Sequence, residues 1–515
     1  MSIRPLLFPF LLFTTVFMRA QSPPGIQWQT SIGGSGFERA WAIEPTSDGG
    51  YITAGMTESN DGDVTGHHGS ADYWVAKLDA TGAIQWQRAL GGIGIEWGKD
   101  VVEASDGGYI VVGYAETVNG DVQSTHGFCD YWVVKLDMNG GIAWKRSFGG
   151  SYDEQPESIA VASDGGYLIV GNTHSDDGDV TMNHGATDLW AVKMDVNGFI
   201  QWQRSYGGTN GENAYAAQPM SDGGWMVAGS TYSNDGDVSG QHGSMDAWVL
   251  RLDSLGTLLW QRTLGGTDVD VAYGILVCSG GGTLMVGESR SDDGDLTANQ
   301  GGSDYWVVKL DDGGALEWQR SLGGSQHDWA NAVQENALGG YLVVGTVTSV
   351  DGNISAPYSP ADKWLVALDA SGATIWERCV GGSGMDQSHS MRSTSDGGFV
   401  LAGGSGSTDG DATANHGDAD LWIVKFAGST EGLMEEHESE WCLFPVPSSG
   451  SVSITMEHQH PNALLTLSSA HGQVLLREPL RSPTHTLDLQ SLPKGLYHLS
   501  LFTQHGVRTE RLVLE

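Results

Sequence analysis

Positive charge is scarce in this chain: 25 lysines and arginines stand against 63 aspartates and glutamates, for a formal net charge of −38 at pH 7. That balance argues against nucleic acid or an anionic membrane surface as partner and leaves cations or cationic surfaces as the natural counterparts. Cysteine is scarce too. Cys129, Cys278, Cys379 and Cys442 are the full set, with no metal-ligand spacing; one disulfide of unreadable pairing and four buried free thiols both fit. Long apolar runs are absent after the N-terminus. The run Pro5–Met18 follows Arg4 and leads to Ala20, which reads as a secretory signal over residues 1–20. No later stretch approaches the roughly 18 apolar residues of a membrane-spanning helix, so no transmembrane anchor is expected. No nucleophile elbow, phosphate-binding loop or zinc-protease helix is present.

What the chain has in abundance is glycine, 75 residues, and tryptophan, 19 residues. The tryptophans fall into two series, Trp28, Trp86, Trp144, Trp202, Trp260, Trp318, Trp376 and Trp74, Trp132, Trp190, Trp248, Trp306, Trp364, Trp422, each with a step of 58 residues. One repeat of this kind cannot bury its own apolar face and must stack on a neighbour. Within a period the pattern predicts four short strands, near Ala40–Pro45, Tyr51–Thr57, Tyr73–Leu78 and Ile84–Leu90. Ser47–Gly50 and Asp79–Gly82 supply the turns. Seven such repeats make an all-β, seven-bladed β-propeller of four-stranded blades over residues 21–427. The array opens on a fourth strand, Ile26–Ile32, and closes on a third, Leu421–Phe426, so the N-terminal strand is expected to complete the last blade.

Fixed charges recur with the blades. Arg88, Arg146, Arg204, Arg262, Arg320 and Arg378 on the fourth strand, and Lys77, Lys135, Lys193, Arg251, Lys309 and Lys425 on the third, suggest blade-to-blade pairing with repeated carboxylates. A carboxylate stands ten residues after each fourth-strand Trp, from Glu38 and Glu96 to Asp386. The loops between second and third strands carry Asp61 and Asp63, Asp177 and Asp179, Asp235 and Asp237, Asp293 and Asp295, Asp409 and Asp411. Oxygen ligands on a glycine-containing loop suit calcium, the one candidate cofactor, although none is required. The same residues suit a second role, accepting backbone N–H bonds in tight turns. A histidine, His68, His126, His184, His242 or His416, precedes an aspartate by four residues in five repeats. Each sits in its own blade, which argues against zinc. His, Asp and Trp at fixed offsets resemble the buried polar network of WD-repeat blades.

Function belongs where repeats differ. On the first strand, expected to line the channel, small residues alternate with a free mixture: Arg39 and Trp41, Trp97 and Lys99, Gln155 and Glu157, Asn213 and Tyr215, Val271 and Tyr273, Trp329 and Asn331, Gln387 and His389. Aromatic faces beside amides and charges suit a sugar, and the candidate ligand-binding set is Arg39, Trp41, Trp97, Lys99, Tyr215, Tyr273, Trp329, Asn331 and His389. Repeats five and six are the least regular, with Gly280, Leu338, Gln300 and Tyr358 in place of the common Asp and His, which marks that sector as the one to be specialised.

Residues 428–441 read as a polar linker, and 442–515 as a small C-terminal β-sandwich. Phe444-Pro445-Val446-Pro447, Leu487–Leu492 and Lys494-Gly495-Leu496-Tyr497, with Arg508 and Arg511 near the end, resemble the type A C-terminal sorting domain of the type IX secretion system of Bacteroidota. The resemblance implies recognition by that secretion machinery, removal of the domain, and release or surface attachment. The repeats resemble DGGY and DYWVVKLD arrays of secreted proteins from the same bacteria. The sequence thus reads as an exported, non-enzymatic propeller that binds glycan or protein at the cell surface or outside it. The alternatives are a secreted polysaccharide-active enzyme with channel-mouth carboxylates and a calcium-dependent scaffold.

Overall fold

The structure, a computed structural model, describes residues 22–336, 339–359, 361–428, 441–444 and, within 451–514, all but 457–463, 470–473, 480–481, 483 and 504–505. The expected signal segment and most of the expected linker lie outside the described residues. The chain forms two compact units, Met1–Ser429 and Thr430–Glu515.

In the first unit each repeat folds into four antiparallel strands paired in chain order. The first copy is Glu38–Pro45, Tyr51–Thr57, Asp72–Leu78 and Ile84–Leu90. Seven four-stranded sheets of this kind are present, and the seventh takes Ile26–Ile32 from the beginning of the array as its fourth strand, against Asp420–Phe426. First strands of successive sheets touch in order, and Asp386–Ser393 of the seventh touches Glu38–Pro45 of the first, so the ring closes. This is the propeller that the tryptophan period predicts, locked by its N-terminal strand.

The second and third strands of the first sheet are buried at every residue, which is why they read as unbroken apolar runs rather than alternating ones. Core lies between sheets: Tyr73, Val75 and Leu90 of the first pack with Val101, Val111 and Trp132 of the second. The fourth-strand tryptophans reach across the same seams. Trp86 covers Gly140 in the turn of the following sheet so closely that a β-carbon there would lie 2.8 Å from the indole. Trp28, Trp144, Trp202, Trp260 and Trp318 cover Gly82, Gly198, Gly256, Gly314 and Gly372 in the same way. Trp376 has no such turn to cover, because the last sheet draws its third and fourth strands from opposite ends of the array. An apolar groove of about 380 Å³, lined in part by Pro24, Ile375, Phe399 and Ala427, lies beside it.

The basic series divide differently from expectation. The arginines do cross between sheets, chiefly to carbonyls: Arg88 Nε donates to Gly140 O at 3.0 Å, Arg262 Nε to Gly314 O at 2.9 Å and Arg378 to Pro24 O at 2.9 Å, and Arg378 alone of these three also meets a repeated carboxylate of the next sheet, Asp411, at 3.5 Å. The third-strand lysines do meet carboxylates, but within their own sheet, Lys77 with Asp48 at 2.9 Å and Lys193 with Asp164 at 3.0 Å. The turn that bears the aspartate folds back over the third strand, so the nearest acid is local, while the turn of the next sheet presents its backbone to the arginine.

The C-terminal unit has a three-stranded sheet, Trp441–Phe444, Ser451–Met456 and Thr484–Asp488, and a four-stranded one, Val474–Pro479, Leu464–Ser469, Gly495–Thr503 and Gly506–Leu514. Val452, Ile454 and Leu487 from one share a core with Leu465, Leu467, Leu499 and Leu501 from the other, which makes it the expected sandwich. The first strand begins at Trp441, one residue inside the segment expected to be linker. Cys129, Cys278 and Cys379 are buried free thiols.

Gly140 and Gly397 have nearly equal positive φ, 77° and 79°, yet only Gly140 faces an indole while Gly397 has nothing within 4 Å. Gly397→Ala should cost about 1–2 kcal/mol from the left-handed backbone alone, and Gly140→Ala a further 1–3 kcal/mol from overpacking. Urea denaturation of both variants measures the difference.

Candidate functional site

In all seven sheets the pairing of first and second strands slips by one residue, and the extra residues are Trp41, Lys99, Glu157, Tyr215, Tyr273, Asn331 and His389. A β-bulge leaves its extra residue out of the ladder and re-aims the side chain. A glycine opposite makes the bulge possible: a β-carbon on Gly55 would lie 1.8 Å from the carbonyl oxygen of Arg39, and Gly113, Gly171, Gly229, Gly287, Gly345 and Gly403 are as tightly placed against their own first strands. All seven bulge residues line one space of about 150 Å³, so it lies on the axis of the ring.

Its wall has two halves. On one, the Trp41 indole stacks on Trp97 at 5.2 Å and on His389 at 6.1 Å, with the Arg39 guanidinium 5.8 Å and the Lys99 ammonium 5.5 Å from its ring. On the other, Tyr215 and Tyr273 meet edge to face at 5.1 Å, and the Tyr273 hydroxyl donates to Glu288 at 3.1 Å. Lys99 joins the halves through both oxygens of Glu157 at 2.9 Å. Burial and the charges of Arg39, Lys363 and Lys99 push His389 well below its ordinary value, so it is neutral at pH 7. Burial pushes the Tyr215 hydroxyl up to about 12. One level along the strands, Glu44 holds Arg392 at 2.7 Å. Asp100 is buried there and raised by that burial, with Arg392 acting against the shift.

Six of the nine expected ligand-binding residues, Trp41, Lys99, Tyr215, Tyr273, Asn331 and His389, are thus bulge residues, and Arg39 and Trp97 join them by stacking. Asn331 is engaged with Ser388 O at 2.7 Å. Trp329 stands apart, with no aromatic partner among the described residues. Sequence reading passed over Lys363. It occupies the place of Tyr73, Tyr131 and Tyr305, whose rings tilt against the next sheet's Trp at 4.7 Å; the Lys363 ammonium takes that position over Trp422 at 4.8 Å and donates to Gln387 O. Burial lowers it to about 7. A lysine in a tyrosine register was the available signal. The two irregular repeats behave plainly at their histidine positions: Gln300 and Tyr358 still give Asp304 and Asp362 the backbone N–H that a histidine gives elsewhere.

The repeated acids hold the seams. Glu96 is buried and accepts from Gly92 N at 2.9 Å, while Asp72 accepts both His68 N at 2.8 Å and His68 Nδ1 at 2.9 Å. The loop aspartates serve the same links. Asp61 accepts from Ser35 N at 2.7 Å and Asp63 from Gly33 N at 3.2 Å. Asp177, Asp235, Asp293 and Asp409 take the N–H of Ser151, Thr209, Thr267 and Ser383, and Asp179, Asp237 and Asp295 that of Gly149, Gly207 and Gly265. Asp411 differs, meeting Arg378 at 3.5 Å. Among the described residues no three His, Cys, Asp or Glu side chains group as a metal site.

Residues 442–515 match the family model described as the secretion system C-terminal sorting domain. The chain is a cargo of type IX secretion, secreted or displayed on the outer surface. No helix of the described residues is long and apolar enough to cross a membrane. A curated relative, regulatory protein FlaEY of Caulobacter vibrioides, is 26% identical over 164 residues, 30% of this chain and 17% of that protein's length. Among solved structures the chain is similar to a fungal alcohol oxidase of the AA5 family in complex with copper, at 13% identity and TM-score 0.42 over 95% of this chain and 100% of that one. It is also similar to PorZ, a surface component of the type IX secretion system of Porphyromonas gingivalis, at 13% identity and TM-score 0.42 over 94% of this chain and 60% of that one. The copper of the first and the secretion role of the second are properties of those proteins.

Calcium in excess and chelator should leave the melting temperature of residues 21–427 unchanged, since backbone N–H groups already engage the loop aspartates; a rise of several degrees with calcium would assign those loops to the ion. Burial also lifts Glu96 from an ordinary 4.5 to about 7 and raises Asp130, Asp188, Asp246, Asp304, Asp362 and Asp420. A carboxyl that binds its proton more tightly when folded adds stability that is full below its unfolded value and is lost as pH rises through its folded one. Stability should therefore fall between pH 5 and 7, and Glu96→Gln should flatten that slope in denaturation curves across the range.

Proposed function

We propose that this protein is an extracellular or cell-surface binding module whose propeller channel receives a glycan. The observation that carries the reading is the bulge ring. Seams, turns and core repeat from sheet to sheet, whereas the seven residues aimed at the axis are Trp, Lys, Glu, Tyr, Tyr, Asn and His. A scaffold alone has no need of that variety at one register. A half-buried indole beside charged groups and hydroxyls suits a sugar, which offers C–H groups to aromatics and hydroxyls to polar groups. The space of about 150 Å³ falls below the roughly 300–1,000 Å³ of pockets that swallow a drug-sized molecule. It therefore suits one unit of a polymer whose remainder lies outside, and favours a chain end over a peptide surface.

Trp41→Ala should weaken glycan binding at least tenfold on an array or by calorimetry, and Trp97→Ala should weaken it several-fold by unstacking Trp41. Trp329→Ala, remote from that stack, should bind as the parent does. Equal binding by all three would remove the channel as the site, and binding of proteins but no glycan would replace the ligand class.

A further inference from the structure

Resting on the glycan reading, we propose that the sugar unit entering the channel carries an anionic group, seated by Arg39 and Trp97 where the seventh, first and second sheets meet.

Arg39 is half-buried between the rings of Phe37, at 5.0 Å, and Trp41, at 5.8 Å. It makes no hydrogen bond or ion pair with any described residue, and its Nε is buried without a partner. The other propeller arginines that are not exposed have found an acceptor: Arg251 has Asp222, Arg392 has Glu44, and Arg88, Arg146, Arg320 and Arg378 have carbonyls. In a chain with 63 acids, none is set against Arg39. A desolvated guanidinium with no acceptor is costly and is satisfied best by a planar anion. Trp97 Nε1 and His389 Nε2 are likewise buried and unpartnered, and both rings stack on Trp41. Three of the orphan nitrogens, those of Arg39, Trp97 and His389, therefore gather around one indole. Lys99 and Lys363 add positive charge on either side; Lys99 is spoken for by Glu157 and Lys363 by backbone carbonyls, so Arg39 is the cation left for a ligand.

Space for the anion is built in. Where other sheets have Met56, Tyr114, Asn172, Ser230, Glu288 and Thr346, the seventh has Gly404, whose absent β-carbon would stand 3.8 Å from Arg39 Nε. Its counterpart in the fifth sheet, Glu288, shows that a carboxylate is compatible with this register. Two sources share the required chemistry, the carboxylate of a uronic acid and a sulfate ester on a neutral sugar.

The test is calorimetric titration of the mature full-length protein with oligogalacturonate, neutral oligogalactose and a sulfated galactan oligosaccharide at about 0.15 M salt, where long-range repulsion from the acidic surface is screened. At least one anionic oligosaccharide should bind ten times more tightly than the neutral one, and the better of the two identifies the source. Arg39→Gln should abolish the preference. Gly404→Glu supplies an internal carboxylate, so it should raise the melting temperature and abolish the preference while neutral binding persists, which separates loss of the anion seat from loss of the fold. Equal affinity for all three sugars overturns the anion proposal and leaves the glycan reading standing. Absence of binding to any of them overturns both.

Discussion

Each link from one sheet to the next is a glycine held between two buried carboxylates, and the ring depends on that clasp. At Gly91 a β-carbon would sit 2.5 Å from Glu96 Oε2 and 3.0 Å from Asp72 Oδ1; at Gly33, where the ring closes, it would sit 2.5 Å from Glu38 and 2.7 Å from Asp420. The two acids belong to adjacent sheets, so the clasp is where neighbours recognise each other. Their outer oxygens take backbone N–H groups and hydroxyls, yet Oδ1 of Asp72, Asp130, Asp188, Asp246, Asp304 and Asp420 has no partner. Burial of these carboxyls is what raises Glu96 and, at the other seams, Asp130, Asp188, Asp246, Asp304, Asp362 and Asp420. The last seam uses the same clasp as the others, with Glu38 N donating to Ala419 O at 2.7 Å, although its two sides lie at opposite ends of the array. Closure is thus one more instance of the repeat.

Much of this was written in the sequence because repetition amplifies weak signals. The tryptophan period, the Ser-Asp-Gly-Gly turns and the incomplete terminal repeats lead to the sheets and to their closure. The expected first strand starts two residues late, at Ala40 rather than Glu38, while the second and fourth start where expected, because the bulge breaks the alternation on which strand reading relies. The glycine in the fifth place of every second strand, Gly55 and its six counterparts, was the available sign, since glycine inside a strand marks a bulge or a close backbone approach. The direction of the arginines was not legible: a carbonyl acceptor leaves no trace in side-chain identity, and a chain this rich in acid makes carboxylates the obvious partners.

The channel was legible as a list and not as a geometry. Variable positions on the first strand could be named, but alternation alone placed Arg39, Trp41 and Trp329 on equal terms. Only the register slip separates them, lifting Trp41 into the ring and leaving Trp329 in the ladder, opposite Thr346. Lys363 was invisible for a related reason. It works through the seam, in a place where three other sheets put a tyrosine, and its effect on the channel is exerted by charge at a distance.

Bulge and clasp together separate what must stay constant from what can change. The clasp requires glycine and carboxylate in every copy, because any side chain at Gly91 or Gly33 would collide with two acids. The bulge residue pairs with nothing in the ladder and stands beside a glycine, so its identity is not set by the backbone pairing of its sheet. Seven such positions converge on one axis, and their identities can differ without disturbing the seams. The acidic exterior then acts as a contrast to the one wall where Arg39, Lys99 and Lys363 accumulate: a ligand with negative charge gains nothing from the surface at long range and must gain it at Arg39, so selectivity is set at contact rather than by steering.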